Sequence, residues 1–101
     1  MRMILFFDLP VGTSSQRRRY RKFVNGLKHE GFLMLQESVY CKLAITLASA
    51  KFVEARIKRI MPDDGKVFLI KITEKQFGDM TILLGENKSE IINTDERYIE
   101  I

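Results

Sequence analysis

The chain has one cysteine, one histidine and two prolines among its 101 residues. Each scarcity excludes something. A single Cys41 cannot form an internal disulfide or a multi-cysteine zinc site, and it fits a reducing compartment, where it reads as a small apolar strand residue. Cys41 and His29 together are too few for a soft-metal cluster. No GxxxxGK[ST] phosphate loop is present, and no Ser-His-Asp set has supporting context. No apolar run approaches the ~20 residues of a transmembrane helix, and a signal peptide's basic segment, long apolar stretch and cleavage site are absent. These features predict a cytoplasmic protein without a membrane partner. Repeats, low-complexity tracts and proline-rich linkers are lacking too.

What remains is globular. Hydrophobic residues make up 46% of the chain and charged residues 30%, enough for one small domain with a modest core. A second domain does not fit, so residues 1–101 are one unit, with about 1–80 as its core and 81–101 as C-terminal strands contacting a partner subunit. The net charge of +4 favours anionic partners, nucleic acid first.

The N-terminal run Met3-Ile4-Leu5-Phe6-Phe7 is apolar until Asp8 closes it, just before Leu9-Pro10. Strand residues alternate faces, so Ile4, Phe6 and Asp8 point one way and Met3, Leu5 and Phe7 the other, and both faces read as buried. A carboxylate there is costly to bury unpaired. A hard divalent cation is one compensating partner; a solvated or turn-capping Asp8 is the plainer reading.

A polar turn with Thr13, Ser14 and Ser15 as candidate N-caps leads into a helix ending near residue 30. Tyr20, Phe23, Val24 and Leu27 share one face of it, and Gly31 suits its C-terminal cap. Strands are predicted over 32–36 and 39–47, joined at Glu37-Ser38, and a second helix over about 49–61 turns Val53, Ile57 and Ile60 inward. Pro62-Asp63-Asp64-Gly65 has strong turn chemistry. The strand at 66–72 is apolar on both sides.

The order strand, helix, strand, strand, helix, strand is the ferredoxin-like βαββαβ arrangement, an α+β fold with both helices on one face of an antiparallel sheet. The other face would be an exposed apolar patch, unusual for a monomer, so a homodimer packed through the sheet faces is expected. Thr81-Ile82-Leu83-Leu84-Gly85 and Arg97-Tyr98-Ile99-Glu100-Ile101 read as the two extra C-terminal strands, one of them extending the sheet or crossing to the partner.

The first helix carries Arg17, Arg18, Arg19, Arg21 and Lys22, with Lys28 further along. Five cations within six residues, with no acidic residue among them, repel one another. At about 100° per residue they wrap the exposed side of the helix. Arginine suits bidentate phosphate contact, so these six residues are the candidate nucleic-acid surface, directed at a duplex backbone rather than at base edges. A solvated helix face is the plain alternative. Asp8 alone is a poor metal site, but two Asp8 residues meeting across a two-fold axis could share a cation that activates water for phosphodiester hydrolysis.

Taken together, Phe7-Asp8-Leu9-Pro10, the arginine-bearing helix, Gln36-Glu37-Ser38-Val39-Tyr40 and Ile72-Thr73-Glu74-Lys75-Gln76-Phe77 resemble the small CRISPR-associated endoribonuclease family, the "Cas two" subunit of spacer acquisition, in order and spacing. The variant resembles those of single-effector, type II systems. The resemblance implies a ferredoxin-like homodimer and a Mg2+ site shared by two Asp8, with Asp8 as metal ligand and catalytic residue of an endonuclease acting on RNA or DNA. It also implies an adaptor role, in which the dimer bridges the CRISPR integrase and its basic surface supports duplex spacer-precursor DNA. Two departures are visible. Phe7 stands where many members have tyrosine, and Met34-Leu35 where some relatives carry an arginine. Arg17 and Arg19 match the family's helix arginines, behind a loop at 11–16 that varies in the family. A thinned catalytic shell beside an intact basic surface favours the adaptor over the hydrolase, and a toxin-like RNA-cleaving protein of similar fold is a weaker third option.

Overall fold

The computed structural model describes residues 1–85. Four strands, β1 (Arg2–Asp8), β2 (Leu33–Gln36), β3 (Val39–Leu43) and β4 (Lys66–Ile72), alternate with helices α1 (Ser14–His29) and α2 (Leu47–Lys58) and are followed by a short α3 (Glu74–Gly78). The sheet order is β2-β3-β1-β4, with every neighbouring pair antiparallel. This is the expected α+β, ferredoxin-like arrangement.

Local chemistry sets the helix boundaries. Thr13 caps α1: its hydroxyl accepts from the Gln16 amide at 3.1 Å, and the Gln16 side chain accepts from the Thr13 amide at 3.0 Å, the reciprocal pair of a capping box. Phe23, Val24 and Leu27 are buried and Tyr20 packs beside them, as the helical spacing predicts. Thr46 and Ser49 form the same box at the start of α2. This explains why β3 stops at Leu43 rather than at 47, because Thr46 is spent on the cap. The alternation continues past the pairing, and Ile45 points into solvent. Helix α2 accordingly starts and ends earlier than the predicted 49–61.

The two sheet faces differ. Met3, Leu5 and Phe7 join Phe23, Leu27, Val53 and Ile57 in one buried cluster beneath the helices. On the other face, Phe6 is 39% exposed, Phe68 55% and Ile70 49%. Two-sided burial of β1 and β4 therefore does not hold within one chain. Phe6 and Phe68 meet edge to face, 5.6 Å between centroids, with water on their outer side.

One end of the open face is covered, by an element the sequence pattern did not reveal. Thr73 and Gln76 cap α3, whose buried Phe77 packs on Cys41, Ile4, Leu35 and Ile72. Arg2, only 4% exposed, reaches the same helix: its guanidinium donates to both carboxylate oxygens of Glu74, at 2.8 and 3.2 Å, and lies 4.3 Å from the Phe77 ring centroid. Bidentate pairing and ring contact compensate the burial of that charge. Cys41 is the buried apolar strand residue expected.

Thr81-Ile82-Leu83-Leu84-Gly85 forms no strand among the described residues: all five are exposed, and Leu83 to Gly85 bend. The strand expected at 97–101, with its connection, lies outside the described residues.

Candidate functional site

Asp8 ends β1 on the open face, in register with Lys66 at the start of β4. Within one chain it is exposed, so the burial expected of its carboxylate, which would have called for a compensating cation, is not found. Its backbone is closely held. Gly65 adopts φ +94°, and a Cβ there would lie 2.8 Å from the Asp8 carbonyl oxygen and 2.6 Å from Leu9 Cδ2. Only glycine lets the turn before β4 come this near to the end of β1.

The β2–β3 turn closes the other side. Glu37, Ser38, Val39, Phe6, Phe68 and Lys66 line an open concavity with Asp8, so a second carboxylate shares its surroundings. Ser38 takes a left-handed φ of 66°, uncommon for a residue with a side chain. Two bonds hold it there: its carbonyl accepts from the Phe7 amide at 3.1 Å, and its hydroxyl lies 3.1 Å from the Tyr20 hydroxyl of α1. Phe7 stacks on Tyr40 below. Burial raises the Tyr40 phenol above its ordinary pKa, with Tyr20 and Glu37 adding to the effect.

The donor set at this concavity is hard: carboxylate oxygens, with no sulfur or imidazole. Mg2+ characteristically takes one or two protein carboxylates and keeps several waters, which Asp8 fits as an exposed ligand. Among the described residues no group of three or more His, Cys, Asp or Glu side chains surrounds a common point.

The cations of α1 lie in the other layer. Arg17, Arg18, Arg19, Arg21, Lys22 and Lys28 are all exposed, but they are not equivalent. Arg17 donates to the Val11 and Gly12 carbonyls at 3.0 and 3.4 Å, bracing the turn before its own helix. Arg19 contacts Ser15 at 3.4 Å and lies 3.8 Å from Asp64. Arg18, Arg21, Lys22 and Lys28 have no ion-pair partner among the described residues. Asp8 and these cations are therefore not one cluster; the sheet separates them. Arg19 and Lys22 converge instead on Arg59, at the end of α2, around a groove. Glu37 and Ser38 read from sequence as the joint between two strands and Gly65 as part of a turn, but none of them, nor Arg59, is named there as a site residue.

The family model described as CRISPR associated protein Cas2 matches residues 1–80. A CRISPR-associated endoribonuclease Cas2 of Ligilactobacillus salivarius is 46% identical over 98% of both chains, and one of Lacticaseibacillus rhamnosus is 43% identical over the whole of both. Among solved structures, one described as a crystal structure of Cas2 superposes with a TM-score of 0.59 at 27% identity, covering 88% of this chain and 91% of the other. Cas2 of Streptococcus pyogenes at pH 6.5 also gives 0.59, at 19% identity over 81% of this chain and 99% of the other, which supports the fold alone.

Proposed function

We propose, for a chain that belongs to the CRISPR-associated Cas2 family, that it acts as a homodimeric, nucleic-acid-binding adaptor of spacer acquisition. One observation carries this reading: the exposed apolar residues and the cationic helix occupy opposite sides of the same sheet. A second copy packed on Phe6, Phe68 and Ile70 would remove apolar surface from water and leave α1 of each copy on the outside. Two such helices would form a broad cationic surface for the backbone of duplex spacer-precursor DNA, and the dimer would bridge the CRISPR integrase.

The same packing would bring Asp8 of both protomers towards the two-fold axis. These two carboxylates would hold Mg2+, which when bound supplies a more acidic water for phosphodiester hydrolysis. Lys66, opposite Asp8 in the sheet, would offset the charge of an incoming phosphate. The exposure of Asp8 and the name borne by the relatives favour this second reading, a metal-dependent endonuclease cleaving RNA or DNA, as an activity of the isolated dimer.

Reconstituted spacer-DNA integration with the cognate integrase separates the two. Asp8→Asn should integrate normally, whereas Arg18→Glu combined with Arg21→Glu and Lys22→Glu should not. Loss of integration by a folded, dimeric Asp8→Asn would transfer the function to the carboxylate site. The endonuclease reading stands if purified protein cleaves RNA in a Mg2+-dependent reaction that Asp8→Asn abolishes.

A further inference from the structure

A groove of mixed lining runs between α1 and the end of α2. It encloses about 520 Å³, within the range of about 300–1,000 Å³ typical of small-ligand clefts. Arg19 and Lys22 enter from α1 and Arg59 from the end of α2, with Met61 and Pro62 forming an apolar wall. Gly26 lets Ile60 pack closely against α1 at this groove: a Cβ there would lie 2.7 Å from Ile60 Cδ1. Asp63 also lines it and Asp64 lies 3.8 Å from Arg19, but three cations against the one lining carboxylate leave the groove positive.

Positive charge alone would suit any phosphate. The apolar wall adds a requirement, because a duplex turns its phosphates outward and hides its base faces, whereas an unpaired nucleotide offers both. Single strands are held without sequence preference by cationic grooves in which bases stack on aromatic side chains; here Met61 and Pro62 would supply the apolar contact in their place. We infer that this groove binds one unpaired nucleotide of a single strand, its phosphate on Arg19, Lys22 and Arg59 and its base against Met61 and Pro62. The inference rests on the nucleic-acid reading above and adds to it a substrate class and residues outside the arginine run. The groove lies on the helix side of the sheet, so the proposed dimer leaves it accessible.

The test uses fluorescence anisotropy of the full chain with labelled single strands of about 12 nucleotides, as DNA, as RNA and as DNA made largely abasic. Wild-type protein should bind base-bearing DNA or RNA about threefold or more tightly than the abasic strand, and the tighter arm identifies the source of the nucleotide. Met61→Ser should erase that preference. Arg59→Gln should weaken binding of all strands by about three- to tenfold. Both side chains are exposed, and thermal melts would confirm that both variants fold. Equal binding of base-bearing and abasic strands by the wild type overturns the inference, as does an Arg59→Gln variant that binds like the wild type. Arg18→Gln, outside the groove, distinguishes the failures: if it weakens binding while Arg59→Gln does not, only the groove is wrong. If neither weakens single-strand binding and Arg18→Gln leaves binding of a labelled duplex unchanged as well, the nucleic-acid reading itself falls.

Discussion

Truncating Leu5 and Phe6, neighbours on β1 that face opposite sides of the sheet, should separate the folding of one chain from the association of two. Leu5 is 1% exposed, inside the cluster beneath the helices. Removing three carbons there leaves a cavity, and Leu5→Ala should lower stability by about 2–5 kcal/mol at any protein concentration. Phe6 is 39% exposed in a single chain and meets Phe68 edge to face across the strand pair. Its truncation should cost the isolated chain roughly 1–2 kcal/mol, less than a fully buried aromatic. If two copies bury the open face, the remainder of the ring contributes to association, and unfolding becomes concentration-dependent. The assay is urea denaturation followed by circular dichroism at several protein concentrations. Wild type and Leu5→Ala should both gain stability by about 1.4 kcal/mol per tenfold increase in protein, the signature of mass action. Phe6→Ala should lose part or all of that dependence. A wild-type midpoint that does not move with concentration would refute the reasoning, and so would equal, concentration-independent losses in both variants.

Gly65→Ala forces a Cβ into a positive-φ position beside the Asp8 carbonyl and should destabilise by more than about 1–2 kcal/mol, the penalty of the left-handed conformation alone; a change below about 0.5 kcal/mol in denaturant melts would contradict it. Glu74→Ala removes a bidentate partner of a buried guanidinium and should cost about 2 kcal/mol, with loss of amide-exchange protection in α3. Unaltered protection would mean that Phe77 alone holds the helix. Glu54 accepts from Lys71 at 2.8 Å and lies 3.6 Å from Lys58; the Lys71 hydrogen bond, aided by both ammonium charges, holds its carboxyl below the ordinary value. A carboxylate lowered on folding stabilises above its unfolded pKa of about 4.3, and that contribution is lost as pH falls through the lower folded value. Glu54→Gln should therefore weaken stability at neutral pH by less than about 1 kcal/mol and reduce the loss on acidification, compared by melts at neutral and acidic pH. An unchanged acid profile would remove Glu54 from the account.

Strand and helix assignments were legible where periodicity and cap agreed. Residues 66–72 and the stripe Tyr20, Phe23, Val24 and Leu27 fall where expected, because alternation and helical spacing are local properties. At 39–47 the alternation runs past the true end of β3, since Thr46 serves both as an alternating strand residue and as an N-cap, and the cap prevails. Helix α3 escaped notice although Thr73 and Gln76 have the capping-box spacing, being only five residues long and directly behind a strand. Asp8 was legible as a candidate by its place at a strand end. Its surroundings were not: Gly65 and Glu37 lie far from it in sequence and approach only through the turns flanking β3 and β4. Nor could composition reveal that Arg2 would be buried, since that depends on Glu74 arriving from α3. The arginine run was visible at once, but its division into Arg17 bracing a turn, Arg19 and Lys22 lining a groove and Arg18 and Arg21 facing solvent required the packed helix.

Sedimentation equilibrium of wild type and Phe68→Asp tests the central claim most directly. Phe68 is 55% exposed on the open face, so a carboxylate there should leave the single chain folded while placing an unpaired charge in any sheet-to-sheet contact. The account predicts a wild-type dimer at roughly micromolar concentrations and a folded monomer for Phe68→Asp. A monomeric wild type, or a variant that still dimerises, would contradict it.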